Sequence, residues 1–387
     1  MSAGKCPIHW LRNLAAIFGL FAVSRMELPA WTLQTIQDRE YVPMSEVQTF
    51  YDFTFGTTTA EWIKFVKPNK ILLAQIGTRE LYLNNLRFHL SLPVLKEGGV
   101  TWLSRLDLST TIDPVLRPSC ICGGAVRTIV LDAGHGGNDQ GTWSYYGSEK
   151  TYALDVAQRA APLLRARGLN VVLTRRDDSY IPLDDRVAAA NRNADALFIS
   201  IHFNAGALTR GIETYALTPA GVPSTDNPPT LLDWVSWPGN AHDSENAALA
   251  TAIHGCILPR VHSPDRGIRR ARFHVLKGIH MPGVLIEGGY LAGQDAFAIS
   301  HADYRQALAE SIAAGIVRYI AAVPENAMEL PLPPPPAATP APTLAAQPPP
   351  AATPPAISPV SPPPARLPTP DKPTTLVQSE PHAAAQP

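Results

Sequence analysis

Cysteine is scarce, with four in 387 residues. Cys120 and Cys122 stand one residue apart in "PSCICGG", but no second C-x-C or C-x-x-C completes a four-cysteine zinc set. Cys256 falls in a helical stretch and reads as a core thiol, which leaves the Cys120–Cys122 pair as the one candidate for a metal or an external disulfide. Excess charge is missing as well. A formal net charge of −1 exerts no pull toward nucleic acid or an anionic membrane surface. Phosphate-cradle and serine-elbow patterns are also absent. "GHGGNDQG" follows an apolar run yet lacks the G-K-[ST] ending of a P-loop and does not match G-x-G-x-x-G, and no G-x-S-x-G occurs. No apolar run reaches the ~20 residues that span a bilayer. The longest, Leu14 to Val23 behind Lys5 and Arg12, suits the apolar centre of a secretory signal. Residues 1–30 therefore read as a signal peptide or N-terminal anchor, with Ala30 closing the one small-residue cleavage candidate.

Proline is abundant, and more than half of the 39 prolines lie beyond Pro324. "PLPPPPAATPAP" has no apolar periodicity with which to bury a face, so 324–387 reads as a disordered, extended Pro/Ala-rich tail. Two folded regions remain. In 31–118, "LYLNNLRFHL" alternates apolar residues about Asn84-Asn85, the pattern of a hairpin. "SEVQTFYDF" and "SRLDLSTTIDPV" read as short helices capped by Ser45 and Ser104. This is a small α+β accessory module without a catalytic cluster. Its pattern resembles the copper amine oxidase N-terminal-like domain, a likeness from which copper binding does not follow.

The region 124–322 has another rhythm. "RTIVLDAG", "NVVLTR", "ALFISIH" and "GVLIEGG" are short β-branched runs without alternation, as in strands buried on both faces. Helical stretches lie between and after them, so the expected fold is α/β, with a mixed, mostly parallel sheet flanked by helices. The helix beginning near Ser148 contains Pro162, where a kink is expected.

The polar residues gather at strand ends. His135 follows "TIVLDAG", His202 closes "ALFISIH", Glu287 closes "GVLIE", and Glu149 opens the helix after the first strand. In open α/β sheets, ligands and catalytic groups collect outside the carboxyl ends of the strands. Each residue alone has an ordinary reading: His135 as a turn residue, His202 as a cap on a carbonyl, Glu149 as a charge at a helix N-terminus. Glu287 is harder to dismiss, because burying an acid at the end of "GVLI" is costly. Together, two imidazoles and a carboxylate make a three-ligand zinc set that leaves a position for water, whose pKa zinc lowers from about 15.7 to about 7. A second carboxylate can then carry the proton.

In order, "TIVLDAGHGGNDQGT", "SEK", "LTRRDD", "DRVAAANRNADALFISIHFNA", "GIETYAL" and "GVLIEGGYLAGQDA" resemble the motifs of the zinc-dependent N-acetylmuramoyl-L-alanine amidases of the amidase-3 type. The resemblance covers 126–322. It implies Zn2+ held by His135, Glu149 and His202, with Glu287 as catalytic general base and acid. It also implies cleavage of the amide between N-acetylmuramic acid and L-alanine of the peptidoglycan stem. The expected partners are peptidoglycan and a cell-wall or activator protein, and the expected location is outside the cytoplasm, in the periplasm or cell envelope. A wall-binding protein on the same fold and a zinc peptidase acting within the stem are the alternatives. One departure from the family pattern stands out: Thr218–Asp243, containing "LLDWVSW" and His242, is an added stretch, either a surface loop or a segment lying over the metal. Arg269, Arg270 and Arg272, in a basic cluster expected just before a strand, are candidates for binding stem carboxylates.

Overall fold

The computed structural model describes residues 31–324, so the expected leader and the tail from residue 325 onward lie outside the described residues. Among the described residues no helix is long and apolar enough to cross a membrane.

The architecture is α/β, built on a mixed sheet of eleven strands. Its order is Asn170–Leu173, Thr128–Ala133, Ala196–Asn204, Gly283–Tyr290, Ile212–Leu217, Asp265–Ala271, and then the meander Leu86–His89, Glu80–Leu83, Lys70–Gln75, Trp62–Lys67 and Phe55–Thr58. The first four strands pair in parallel. A second sheet of four strands, Gln34–Ile36, Arg39–Pro43, Val100–Ser104 and Leu95–Glu97, completes the N-terminal part. That part joins the larger region directly, because Phe88 pairs with Ile268 in one continuous sheet.

Local signals account for much of this. Asn84 and Asn85 both take positive φ, 51° and 66°, as the two-residue hairpin between Glu80–Leu83 and Leu86–His89 requires. Ser104 caps its helix through a bond from the Asp107 amide (2.9 Å), whereas Ser45 lies inside the helix Met44–Phe50, whose N-cap is Pro43. The helix Glu149–Arg165 runs continuously across Pro162, which falls in its last turn. Two strands depart from expectation. Ile212–Leu217 was not expected as a strand, and the basic cluster lies within the strand Asp265–Ala271 instead of before it.

Side-chain alternation gives the central sheet two unlike faces. Ile129, Leu131, Leu197, Ile199, Ile201, Val284 and Ile286 face the helices Glu149–Arg165, Asp243–Val261 and Ala302–Ala322. Val130, Phe198, Leu285, Tyr215 and Leu217 face a thinner layer that includes Ala190, Val275, Leu276 and Ile279. Continuing the same alternation to the strand ends places Asp132, Ser200, His202, Glu287 and Glu213 on this second face. A polar cluster thus forms where the helical cover is thinnest.

The strand Ile212–Leu217 runs antiparallel to Gly283–Tyr290, with Glu213 opposite Glu287 and Tyr215 opposite Leu285. Its far end therefore lies beside Gly283, at the end of the sheet away from His202 and Glu287. The added stretch 218–243 begins there. Asn240 donates to the Thr218 carbonyl (2.9 Å), and Asn246 binds both the Gly239 carbonyl (3.2 Å) and the Gly283 amide (2.7 Å). Both ends of the stretch are thus fastened away from the candidate metal ligands, its middle reaches back to Arg269 through Asp226 at 2.7 Å, and His242 pairs with Glu245 at 2.9 Å.

Candidate metal centre and active site

The loop after Thr128–Ala133 turns sharply. His135, Gly136 and Gly137 all have positive φ (59°, 131° and 58°), a conformation costly for a non-glycine residue and held here by surrounding bonds. Two buried arginines supply those bonds. Arg175 donates to the carbonyls of Ala133 (2.9 Å), Gly134 (2.7 Å) and Lys150 (2.7 Å). Arg186 donates to the carbonyls of Ala133 (2.7 Å) and His135 (2.6 Å) and to Asp132 Oδ1 (2.8 Å). Asp132 also receives the hydroxyls of Thr174 (2.6 Å) and Ser200 (2.8 Å). The arginines of "LTRRDD" and "DRVAAAN" thus hold the histidine loop in place.

His135, Glu149 and His202 come together, each offering a ligand atom within 4.8 Å of the others. Glu149 Oε1 lies 3.1 Å from His135 Nε2 and 2.8 Å from His202 Nδ1, and the two imidazoles meet edge to face at 5.0 Å. The other oxygen of Glu149 accepts the Thr142 amide (2.7 Å), and Oε1 also accepts the Phe203 amide (3.1 Å). Burial would raise the Glu149 carboxyl, but the two imidazoles outweigh it and hold that carboxyl far below the usual range. His135 turns its remaining nitrogen, Nδ1, to Asp139 Oδ2 at 2.8 Å, an arrangement that orients a metal-binding imidazole. Burial would lower the His135 imidazole, yet Glu149 and Asp139 together hold it above its ordinary value.

The backbone is shaped to this cluster. A Cβ on Gly134 would stand 2.3 Å from the His202 ring, and one on Gly141 would stand 2.5 Å from both Glu149 Oε2 and the His135 ring. Only glycine leaves room at either place. Two nitrogens and a carboxylate, clustered and oriented by neighbours, suit a borderline divalent cation such as zinc.

Glu287 pairs in register with His202 on the neighbouring strand, and its Oε2 is buried without a hydrogen-bond partner. Burial, then the charges of Glu149 and Glu213, push its carboxyl well above the usual range. Glu213 behaves oppositely. It is fully buried, yet bonds from Asn204, Tyr215 and Tyr290 (2.9 Å each) and from Arg266 (2.9 Å) surround it, and Arg269 lies at 3.2 Å. Burial would raise this carboxyl, but the arginines outweigh it and keep it below the usual range. Two adjacent carboxyls are thus driven apart, the pattern that separates acid from base roles. Sequence reading missed both Asp139 and Glu213. An acid inside the apolar "GIETYAL" was the available signal for Glu213, by the reasoning already applied to Glu287.

The three arginines proposed for substrate carboxylates are engaged inside the protein. Arg270 is 4% exposed and donates to the carbonyls of Thr110 (2.6 Å) and Leu217 (3.3 Å) and to Thr111 Oγ1 (3.1 Å). Arg272 binds Asp233 (2.7 Å) and the carbonyls of Pro219 and Val222. Arg269 lies between Asp226 (2.7 Å) and Glu213. These residues fasten the added stretch and the N-terminal part to the sheet.

A three-ligand cluster with a fourth, unpartnered carboxyl at the carboxyl edge of an α/β sheet is the arrangement of a hydrolytic metal centre. Residues 129–318 match the family model described as N-acetylmuramoyl-L-alanine amidase. The chain is 32% identical over 196 residues to the uncharacterized protein YqiI of Bacillus subtilis, covering 50% of this chain and 84% of that one. It is 30% identical over 248 residues to the N-acetylmuramoyl-L-alanine amidase AmiA of Escherichia coli, covering 56% and 84%. With the sporulation-specific N-acetylmuramoyl-L-alanine amidase of B. subtilis it shares 32% over 191 residues, 49% of this chain and 66% of that protein. The crystal structure of the N-acetylmuramoyl-L-alanine amidase from Clostridium difficile 630 aligns with a TM-score of 0.44 and 33% identity, covering 51% of this chain and 98% of that one. The chain belongs to the N-acetylmuramoyl-L-alanine amidase family.

Proposed function

We propose that this protein is an exported peptidoglycan hydrolase of the periplasm or cell envelope. It cleaves the amide between the lactyl group of N-acetylmuramic acid and L-alanine of the stem peptide. His135, Glu149 and His202 hold Zn2+, and Glu287 is the general base and acid. The observation that carries this reading is the gathering of His135, Glu149 and His202 beside the buried, unpartnered Oε2 of Glu287. Family membership supports the choice of substrate.

When bound there, zinc supplies Lewis acidity toward a carbonyl oxygen and lowers the pKa of a water it binds. The chain's own residues do the rest. Asp139 fixes the His135 ring so that Nε2 faces the cluster, and the amides of Thr142 and Phe203 hold the Glu149 carboxylate still. The environment of Glu287 favours its protonated form, while positive charge placed among the three ligands favours ionisation. The carboxyl is therefore poised to take a proton from the attacking water and deliver it to the departing L-alanine nitrogen. Glu213, kept ionised by Arg266 and Arg269, stays out of the exchange.

Purified protein incubated with muropeptides, with and without a chelator, tests this reading through the termini released. Stem peptide with a free L-alanine amine is expected, with loss of the reaction in chelator and in Glu287→Gln. Intact muropeptides, cleavage between stem amino acids, or full activity in Glu287→Gln would overturn it.

A further inference from the structure

The metal loop carries a second feature with no part in holding the ligands. Between Thr142 and Glu149 the chain forms a small hairpin in which Trp143 pairs with Ser148 and Ser144 with Gly147. Its side chains point outward: Trp143 is 71% exposed, Tyr145 95% and Tyr146 44%. Phe297, 62% exposed on another element, meets the Tyr146 ring edge to face at 5.7 Å, and Tyr145 meets Tyr146 at 5.5 Å. Tyr145, Tyr146 and Phe297 thus form a contiguous exposed aromatic surface, with exposed Trp143 on the same hairpin, and such exposure marks a binding site more often than chance.

We propose that Trp143, Tyr145, Tyr146 and Phe297 form a saccharide subsite that takes a pyranose of the glycan strand next to the cleaved amide. The identity of the sugar rests on the amidase reading. Three observations favour a sugar over other occupants. The first is continuity with the metal centre. The Thr142 amide is bound to Glu149 Oε2 at 2.7 Å, and Trp143 is the next residue, about 3.8 Å along the chain. In the proposed substrate a sugar is joined to the scissile amide only through a lactyl group, so a sugar binds close to the metal ligands, and the hairpin that borders Glu149 is in place to meet it. The second is chemistry. The negative potential over the face of an uncharged aromatic ring attracts the polarised C–H bonds of a pyranose face, and the tyrosine hydroxyls can meet its hydroxyls, with no net charge required on either side.

The third is rigidity. The Tyr152 hydroxyl donates to the Tyr146 carbonyl, the Glu149 amide donates to the Thr142 carbonyl (2.7 Å), and the Tyr146 amide donates to Ser144 Oγ (3.2 Å). The hairpin backbone that carries the aromatic side chains is therefore held before a ligand arrives, and little backbone ordering cost falls on binding.

The test uses the full chain and glycan strands stripped of their stem peptides, which bear no scissile amide and are not consumed. The parent protein is expected to bind them saturably by calorimetry, and the double variant Trp143→Ala/Tyr145→Ala to bind roughly tenfold or more weakly. The variant should keep the parent's melting temperature, and on intact wall its KM should rise while kcat holds. The proposal is overturned if the parent does not bind stripped strands, or if the variant binds them equally well. It is also overturned if the substitutions change only the sedimentation of the chain, which would make the patch a self-association surface. Muropeptide cleavage is read separately. Glycan binding without any cleavage would retain the subsite and sink the amidase reading.

Discussion

Replacing Asp139 with alanine tests whether the cluster is a metal centre or a set of hydrogen-bonded side chains. Asp139 Oδ2 lies 2.8 Å from His135 Nδ1, and Oδ1 accepts the Gly141 amide at 3.1 Å. Loss of a partner of this kind lowers metal affinity by roughly 10–100-fold, or about 1.4–2.7 kcal/mol. Two features place the expected loss toward the lower end, on the order of 10–30-fold. The Asp139 side chain is 44% exposed, so water replaces part of the bond, and the Arg186 bond to the His135 carbonyl still holds the loop. Asp139 also raises the His135 imidazole, so its removal lessens proton competition and would mask the loss in acid. Zinc affinity is therefore best measured near about pH 8, well above the ordinary histidine value, by competition with a chromophoric chelator. Circular dichroism checks the fold, and Asp139→Asn should fall between the parent and the alanine variant. Affinity within twofold of the parent would refute the reasoning and make Asp139 an ordinary loop residue.

Two further outcomes follow from the same structure. Arg270→Met strands the carbonyls of Thr110 and Leu217 and removes the cation facing Asp243 and Asp107, so urea unfolding should register a loss of about 3–5 kcal/mol; a loss under about 1 kcal/mol would show that the buried guanidinium is dispensable. Protons compete with the metal at His135, whose imidazole is held above its ordinary value, so zinc affinity should be flat in alkali. It should begin to fall, as pH decreases, above about 6.5; equilibrium dialysis across pH that finds no decline until well below that value would contradict the assigned electrostatics.

Glu287 and Glu213 show why one acid was legible and the other was not. Glu287 closes an apolar run, so the cost of burying it is visible along the chain. Glu213 sits near the start of "GIETYAL", where the acid was a signal that went unread, and its meaning comes from Glu287 on the antiparallel neighbour. Arg269, Arg270 and Arg272 read as candidates for substrate carboxylates because charge density is a property of the chain, whereas partners such as Asp233 and the Thr110 carbonyl come from distant segments.

The sequence by itself determined the kind of fold and the cluster's members. Buried β-branched runs between helices specify a mostly parallel sheet, and such a sheet brings its carboxyl ends to one edge whatever the detailed order of the strands. Tertiary structure alone decided which side of that edge the cluster faces, which carboxyl is pushed above the usual range and which is held below it, and that both ends of 218–243 are fastened at the opposite end of the sheet. Those properties depend on the direction of one strand, Ile212–Leu217, and on burial and charge contributed by residues far away in the chain. Neither strand direction nor the neighbours that set a carboxyl's protonation is encoded in local sequence spacing.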